Sequence, residues 1–129
     1  MILTRKLKIL ITDDSLLLRR KLKQELESLD CEVFEAKNGK EAVMMYLTNQ
    51  PDGTFLDIVM PEVGGLEALQ AIRKINEKAQ VIMLSSTGTS SKLVETLKFG
   101  AIDFIQKPYT TQQIKKTLDD IRKKVEADA

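Results

Sequence analysis

Short apolar runs alternate along the chain with longer stretches in which apolar residues recur every three or four positions. Leu7–Ile11 is the first such run and ends at Thr12-Asp13-Asp14. Leu16, Leu18, Leu22, Leu26 and Leu29 then recur near helical spacing, which leaves Arg19, Lys23 and Glu27 for a solvent face. Glu32–Ala36 reads as a second strand, and Asn38-Gly39-Lys40-Glu41 has the form of a capping box opening a helix to about Leu47. A third strand, Thr54–Ile58, leads into the turn-forming stretch Met60–Gly65 and a helical stripe of Leu66, Leu69, Ile72 and Ile75. Val81–Leu84 is the most apolar strand and is followed by a polar run from Ser85 to Ser91. Val94 and Leu97 mark a short helix, and Phe104–Ile105 the last strand, before Lys107-Pro108. Thr110 and Gln113 form another capping box, ahead of the closing stripe Ile114, Leu118, Ile121 and Val125.

Five β–α units in series, with no linker, repeat or low-complexity stretch, predict an α/β fold with a mainly parallel sheet and helices on both faces. At 129 residues the chain reads as a single domain over residues 1–129, large enough to bury a core without staples. In such a sheet the crossovers are right-handed and ligands lie beyond the carboxyl ends of the strands. The residues to inspect are therefore those just past each strand: Asp13 and Asp14 after the first, Asp57 at the third, Ser85 after the fourth and Lys107 after the fifth.

Composition narrows the chemistry. The charges nearly cancel, with 20 Lys+Arg against 19 Asp+Glu, so the strong field of a dedicated nucleic-acid binder is missing and no direct nucleic-acid partner is expected. There is no histidine, which excludes histidine-based acid–base catalysis and any role as a phosphohistidine relay. One cysteine, Cys31, excludes an internal disulfide and a zinc site of the usual kind. Nothing at Met1–Leu10 resembles a charged-then-apolar secretion signal, and the longest apolar run, Ala42 to Leu47, is far too short to cross a bilayer. The expected compartment is the cytoplasm, without membrane insertion.

Chemistry then falls to carboxylates, hydroxyls and ammonium groups. Taken singly, Asp14-Ser15 reads as a helix cap, Ser85 as a loop hydroxyl and Lys107 as a surface charge. An Asp ending an apolar strand is less ordinary, because Asp is depleted in strands and costly when buried unpaired. If the strand ends share one rim, three carboxylates crowd together and need positive charge among them. A hard divalent cation such as Mg²⁺ and the Lys107 ammonium supply it. Such a site suits phosphoryl transfer, which depends chiefly on an in-line nucleophile and charge stabilisation. A carboxylate acceptor gives an aspartyl phosphate.

The chain resembles the response-regulator receiver family, the CheY-like domains of two-component signalling. The resemblance rests on Lys8-Ile9-Leu10-Ile11-Thr12-Asp13-Asp14-Ser15, Ala36-Lys37-Asn38-Gly39-Lys40-Glu41-Ala42, Pro51-Asp52, and Asp57-Ile58-Val59-Met60-Pro61 with Gly65. It continues through Val81-Ile82-Met83-Leu84-Ser85 and Gly100-Ala101-Ile102-Asp103-Phe104-Ile105-Gln106-Lys107-Pro108. It implies the strand order 2-1-3-4-5, Asp57 as phosphoacceptor, and Mg²⁺ held by Asp14 directly, Asp13 mainly through water, Asp57 and the Val59 backbone carbonyl. Ser85 and Lys107 match the groups that contact the phosphoryl, and the Lys107-Pro108 bond is typically cis in this family.

Departures from the family pattern are Thr12 in place of a common aliphatic, Gly53-Thr54 weakening the third strand, and Gly64 where an acid is frequent. Val59 and Thr87 match the two positions that tune dephosphorylation in relatives. Neither carries a carboxylate or amide to orient water, so a long-lived phosphoryl group is expected. The resemblance also implies that Ser85 moves toward the phosphoryl oxygens and Phe104 fills the space left behind, altering the surface of the fourth helix, fifth strand and fifth helix. Phe104 lacks a hydroxyl, so its preference rests on packing; plain core is its alternative reading. The polar stretch Thr87–Ser91 is expected to move on activation. Lys115, Lys116, Arg122, Lys123 and Lys124 make the last helix basic, which usually marks a solvated face.

Implied partners are a sensor histidine kinase or phosphotransfer protein, a downstream protein target and a phosphatase, with the chain a monomer or a phosphorylation-dependent dimer. An isolated regulator and a receiver cut from a longer protein fit equally. The rival readings are a scaffold-only pseudo-receiver, an aspartate-nucleophile phosphatase and a flavodoxin-like module. The phosphatase requires a second Asp where Val59 stands, and Asp13-Asp14 would repel a flavin phosphate.

Overall fold

The computed structural model describes residues 3–60, 63–86 and 90–128. The order along the chain is β1 (Leu7–Thr12), α1 (Leu16–Ser28), β2 (Cys31–Ala36), α2 (Gly39–Asn49), β3 (Gly53–Asp57), α3 (Gly65–Ile75), β4 (Val81–Ser85), α4 (Ser90–Lys98), β5 (Asp103–Gln106) and α5 (Thr111–Asp128). All strand pairs are parallel and the sheet runs β2-β1-β3-β4-β5, the expected order.

Strand alternation divides the apolar residues between two layers. Leu10, Leu56 and Met83 pack with Ala42, Tyr46, Leu69 and Ile72 from α2 and α3. Ile9, Ile11, Phe55, Ile82 and Leu84 pack on the opposite face with Leu22, Leu26, Ile114 and Ile121 from α1 and α5. Central strands covered on both sides explain why β3 and β4 are buried along their whole length. Local signals agree with the packing. The Asn38 side chain accepts from Glu41 N–H at 2.8 Å, and Thr110 and Gln113 cap each other reciprocally at 2.8 and 3.1 Å.

Several expectations shift. β1 extends to Thr12, β2 begins at Cys31, α2 continues to Asn49 and β3 begins at Gly53. Only Leu22 and Leu26 of the α1 stripe are fully buried, while Leu16 and Leu18 are exposed. Gly53 is not a weak point but a packing device. A β-carbon there would come within 2.6 Å of Ile121 Cδ1, so its absence lets α5 lie directly on β3.

Below the sheet, the Asp52 carboxylate accepts two bonds from Arg5, at 2.7 and 2.8 Å, and one from Lys8 N–H at 2.8 Å. Burial opposes its charge, yet these donors hold its pKa below the ordinary carboxylate value. Cys31 is buried in the α1–α5 layer, where burial pushes its thiol up to about 11. Among the described residues no helix is long and apolar enough to cross a membrane.

The hydroxyl of Thr12, the residue that departs from the aliphatic pattern, is fully buried without a hydrogen-bond partner among the described residues. An unpaired buried hydroxyl carries a desolvation penalty, so Thr12→Val should raise the stability of the protein by about 1 kcal/mol in urea denaturation.

Candidate functional site

The carboxyl ends of β1, β3 and β5 bring together the acids and the lysine. β1 stops at Thr12, and Asp13 N–H donates to Ala36 O of β2 at 3.2 Å, so the acidic turn begins while still tied to the sheet. Asp13 Oδ1 accepts from Ser15 N–H at 2.9 Å, and Ser15 Oγ in turn caps α1 by accepting from Leu18 N–H at 3.3 Å. The cap reading of Asp14-Ser15 thus belongs to Ser15; Asp14 is left exposed.

Asp57 ends β3 and is buried. Ile58 N–H donates to Leu84 O at 3.0 Å and Gly65 N–H to Ile58 O at 2.9 Å, which ties the turn after Asp57 to β4 and to the start of α3. A side chain at Gly65 would fall 2.7 Å from Ile58 Cα, so only glycine lets α3 begin this close to Asp57. Lys107 follows β5, its N–H donating to Ser85 O at 2.7 Å, and the Lys107–Pro108 peptide is cis.

The Lys107 ammonium is the centre of the arrangement. Its Nζ donates to Asp13 Oδ2 at 2.8 Å and to Asp57 Oδ2 at 2.9 Å. One ammonium serving two acids is an unequal partnership. Burial works against the Lys107 charge, but the hydrogen bonds to Asp13 and Asp57 outweigh it and raise its pKa. Burial also dominates at Asp57 and raises its carboxyl above the usual range, aided by repulsion from Asp13, although Lys107 and a 3.4 Å bond from Val59 N–H pull the other way. Carboxylate oxygens of Asp13, Asp14 and Asp57 all lie within 4.8 Å of one another. Three acids against one ammonium leave a surplus of negative charge on hard oxygen donors, one of them on the exposed and untethered Asp14. That donor set fits Mg²⁺.

Of the other predicted residues, Ser85 is buried at the end of β4, and Val59 is half exposed on the loop beyond Asp57. Phe104 is 42% exposed on β5, so its reading as plain core is overturned: Ile105 is the inward residue of that strand. Thr87, and with it part of the expected mobile stretch, lies outside the described residues. Leu18, Lys21, Glu25, Lys107, Pro108 and Tyr109 line a cleft of ≈ 260 Å³ that includes Lys107 but none of Asp13, Asp14 and Asp57. A larger one, ≈ 560 Å³, lies at the far ends of β1 and β2 against Lys8 and Cys31, away from this chemistry.

Arg19 was expected on the solvent face and is not there. Its side chain is 12% exposed, with Nη1 donating to Asp13 O at 2.8 Å and Nε to Glu35 Oε1 on β2 at 3.2 Å. The spacing carried the signal: Arg19 stands three residues before Leu22 and seven before Leu26, on the buried stripe itself.

A family model of the response regulator receiver domain matches residues 9–119. The chain belongs to the response-regulator receiver family. The receiver is 42% identical over 118 residues to the chemotaxis protein CheY of Listeria monocytogenes, covering 91% of this chain and 99% of that protein. It also superposes with a TM-score of 0.91 on a response regulator receiver domain protein from Clostridium thermocellum, at 26% identity, covering 95% of this chain and 99% of that one. A further neighbour is Borrelia burgdorferi CheY, solved in a CheX-CheY-BeF3-Mg²⁺ complex, with a TM-score of 0.84, 30% identity and coverage of 91% and 90%. This receiver is therefore a CheY-like domain of two-component signalling, a family whose members accept phosphoryl groups rather than turn over substrates.

Proposed function

We propose that this receiver is a phosphorylation-dependent switch that takes a phosphoryl group onto Asp57 from a histidine kinase or phosphotransfer protein in the cytoplasm. The observation that carries the reading is the Lys107 ammonium shared between Asp13 and Asp57, with Asp14 in the same cluster. Asp57 attacks through a carboxylate oxygen, a new P–O bond forms as the donor's bond to phosphorus breaks, and an aspartyl phosphate results. The surrounding groups divide the remaining work. Lys107 holds the acceptor in place beforehand and offers positive charge to a phosphoryl oxygen afterwards. The Ser85 hydroxyl, buried at the end of β4, would donate to another oxygen. Mg²⁺, held by Asp13, Asp14, Asp57 and the Val59 carbonyl, would neutralise charge gathering on the transferred group.

Val59 supports acceptance over turnover, because no acid stands two residues beyond Asp57 to activate a leaving group or water. The pseudo-receiver reading would be favoured by a missing site group; Asp13, Asp14, Asp57, Ser85 and Lys107 are all present. The output surface in this reading is formed by α4, β5 and α5. Its apolar residues Val94, Leu97, Ile102 and Phe104 are exposed.

Incubation with Mg²⁺ and acetyl phosphate should add the mass of one phosphoryl group to the intact protein and none to Asp57→Ala. After the donor is removed the added mass should persist well beyond seconds, because neither Val59 nor Thr87 orients water. A protein that gains no mass, or an Asp57→Ala variant that gains as much, defeats the proposal.

A further inference from the structure

The side chain of Asp14 makes no hydrogen bond or ion pair among the described residues, so the contacts that order this residue act on its backbone. That backbone is held from one side by Arg19. Asp13 O, which accepts from Arg19 Nη1 at 2.8 Å, belongs to the same planar peptide unit as Asp14 N. Holding that oxygen holds the peptide plane that carries Asp14 N and Cα, and so restricts where the Asp14 side chain begins. The guanidinium has its own anchor: Glu35 on β2 accepts from Arg19 Nε at 3.2 Å and from Lys23 Nζ at 3.4 Å. The chain of contacts runs from β2 through Glu35 and Arg19 to the Asp13–Asp14 peptide.

We infer that Arg19, braced by Glu35, is a positioning residue that sets the affinity of the acidic cluster for Mg²⁺ by orienting Asp14; this rests on the metal-assisted reading above. The planar fork matters as well as the charge. One guanidinium reaches two acceptors on different elements at once, which a single ammonium does not reproduce. Partners that orient metal ligands typically contribute about 10–100-fold to affinity when probed by mutation.

The sign of the effect separates this role from two simpler ones. Arg19 is a cation beside a cation site, so removing its charge alone should tighten Mg²⁺ binding. If Arg19 merely ties α1 to β2, its removal should lower the unfolding midpoint and leave metal affinity alone. The positioning role requires weaker binding. Mg²⁺ dissociation constants are to be measured by calorimetric titration of the full chain, together with metal-free urea unfolding. Arg19→Gln should weaken Mg²⁺ binding about ten-fold, Arg19→Lys should recover little of that loss, and Glu35→Gln should lose less in the same direction. At saturating Mg²⁺ the rate of phosphoryl uptake by Arg19→Gln should approach that of the unaltered protein, because the deficit lies in affinity. A folded Arg19→Gln that binds Mg²⁺ equally or more tightly overturns the inference. If Arg19→Gln does not fold, unchanged binding in Glu35→Gln overturns it. An unaltered protein that binds no Mg²⁺ removes the functional reading itself, and this inference with it.

Discussion

Lys107→Met should cost the protein about 2–4 kcal/mol of stability near neutral pH and lower its phosphoryl uptake from a small donor at least about a hundred-fold. Both losses come from the same atom. Nζ is the ammonium shared by Asp13 Oδ2 and Asp57 Oδ2, and all three side chains are largely shielded from water. Deleting it leaves two neighbouring carboxylates facing each other without a counter-charge, and breaking a buried pair from one side leaves the full desolvation penalty of the other. The protein has two ways to reduce that penalty, protonation and cation binding. The deficit should therefore shrink in urea titrations at acidic pH and in excess Mg²⁺. Uptake of the phosphoryl group has no such escape, since the oxygen that Lys107 would neutralise then has no ammonium to receive it. A Lys107→Met protein as stable as its parent at pH 7, or phosphorylated at the parental rate, would show that the shared ammonium is dispensable.

Asp57→Asn should act in the opposite direction on stability. The folded protein raises the Asp57 pKa, chiefly by burial, so the native state holds that proton more tightly than the unfolded chain does. As pH rises past the ordinary carboxylate range, the unfolded chain ionises first and native stability falls. The penalty is complete once pH exceeds the raised native value. Asp57→Asn never carries it, and it leaves Lys107 paired one-to-one with Asp13. The variant should therefore be the more stable protein at pH 7 without metal, with the advantage fading on acidification to pH 3. It should also gain less from added Mg²⁺, because one of the three acids is gone. Stability curves of the two proteins that run parallel from pH 3 to pH 7 would contradict this account. A residue kept at a cost in folding is what a site selected for chemistry is expected to contain.

Much of this was readable from residue order. Runs such as Leu7–Ile11 and Val81–Leu84, separated by helical stripes, indicate a parallel sheet covered on both faces, and the strand-end rule then directs attention to Asp13, Asp57 and Lys107. Periodicity is less informative at the end of an element. Leu16 and Leu18 look like core in a one-dimensional pattern and are exposed at the start of α1, whereas Leu22 and Leu26 further along it are buried. Gly53 looks like a defect in a strand until Ile121, far away in sequence, is seen to fill the space beside it. Phe104 was ambiguous because a four-residue edge strand offers too few alternations to assign a face. Arg19 was misplaced for a different reason. A charged residue on an apolar stripe is normally assigned to solvent, and only the positions of Glu35 and the Asp13 carbonyl show what draws it inward.

The sealed state of Cys31 has a practical corollary. A thiol that is enclosed and titrates near 11 is almost wholly protonated at neutral pH, and the chain has no other. Maleimide or spin-label chemistry directed at an engineered Phe104→Cys would thus report from the edge of the sheet with little background. Conformational traffic at that position becomes measurable without first stripping the protein of its native sulfhydryl.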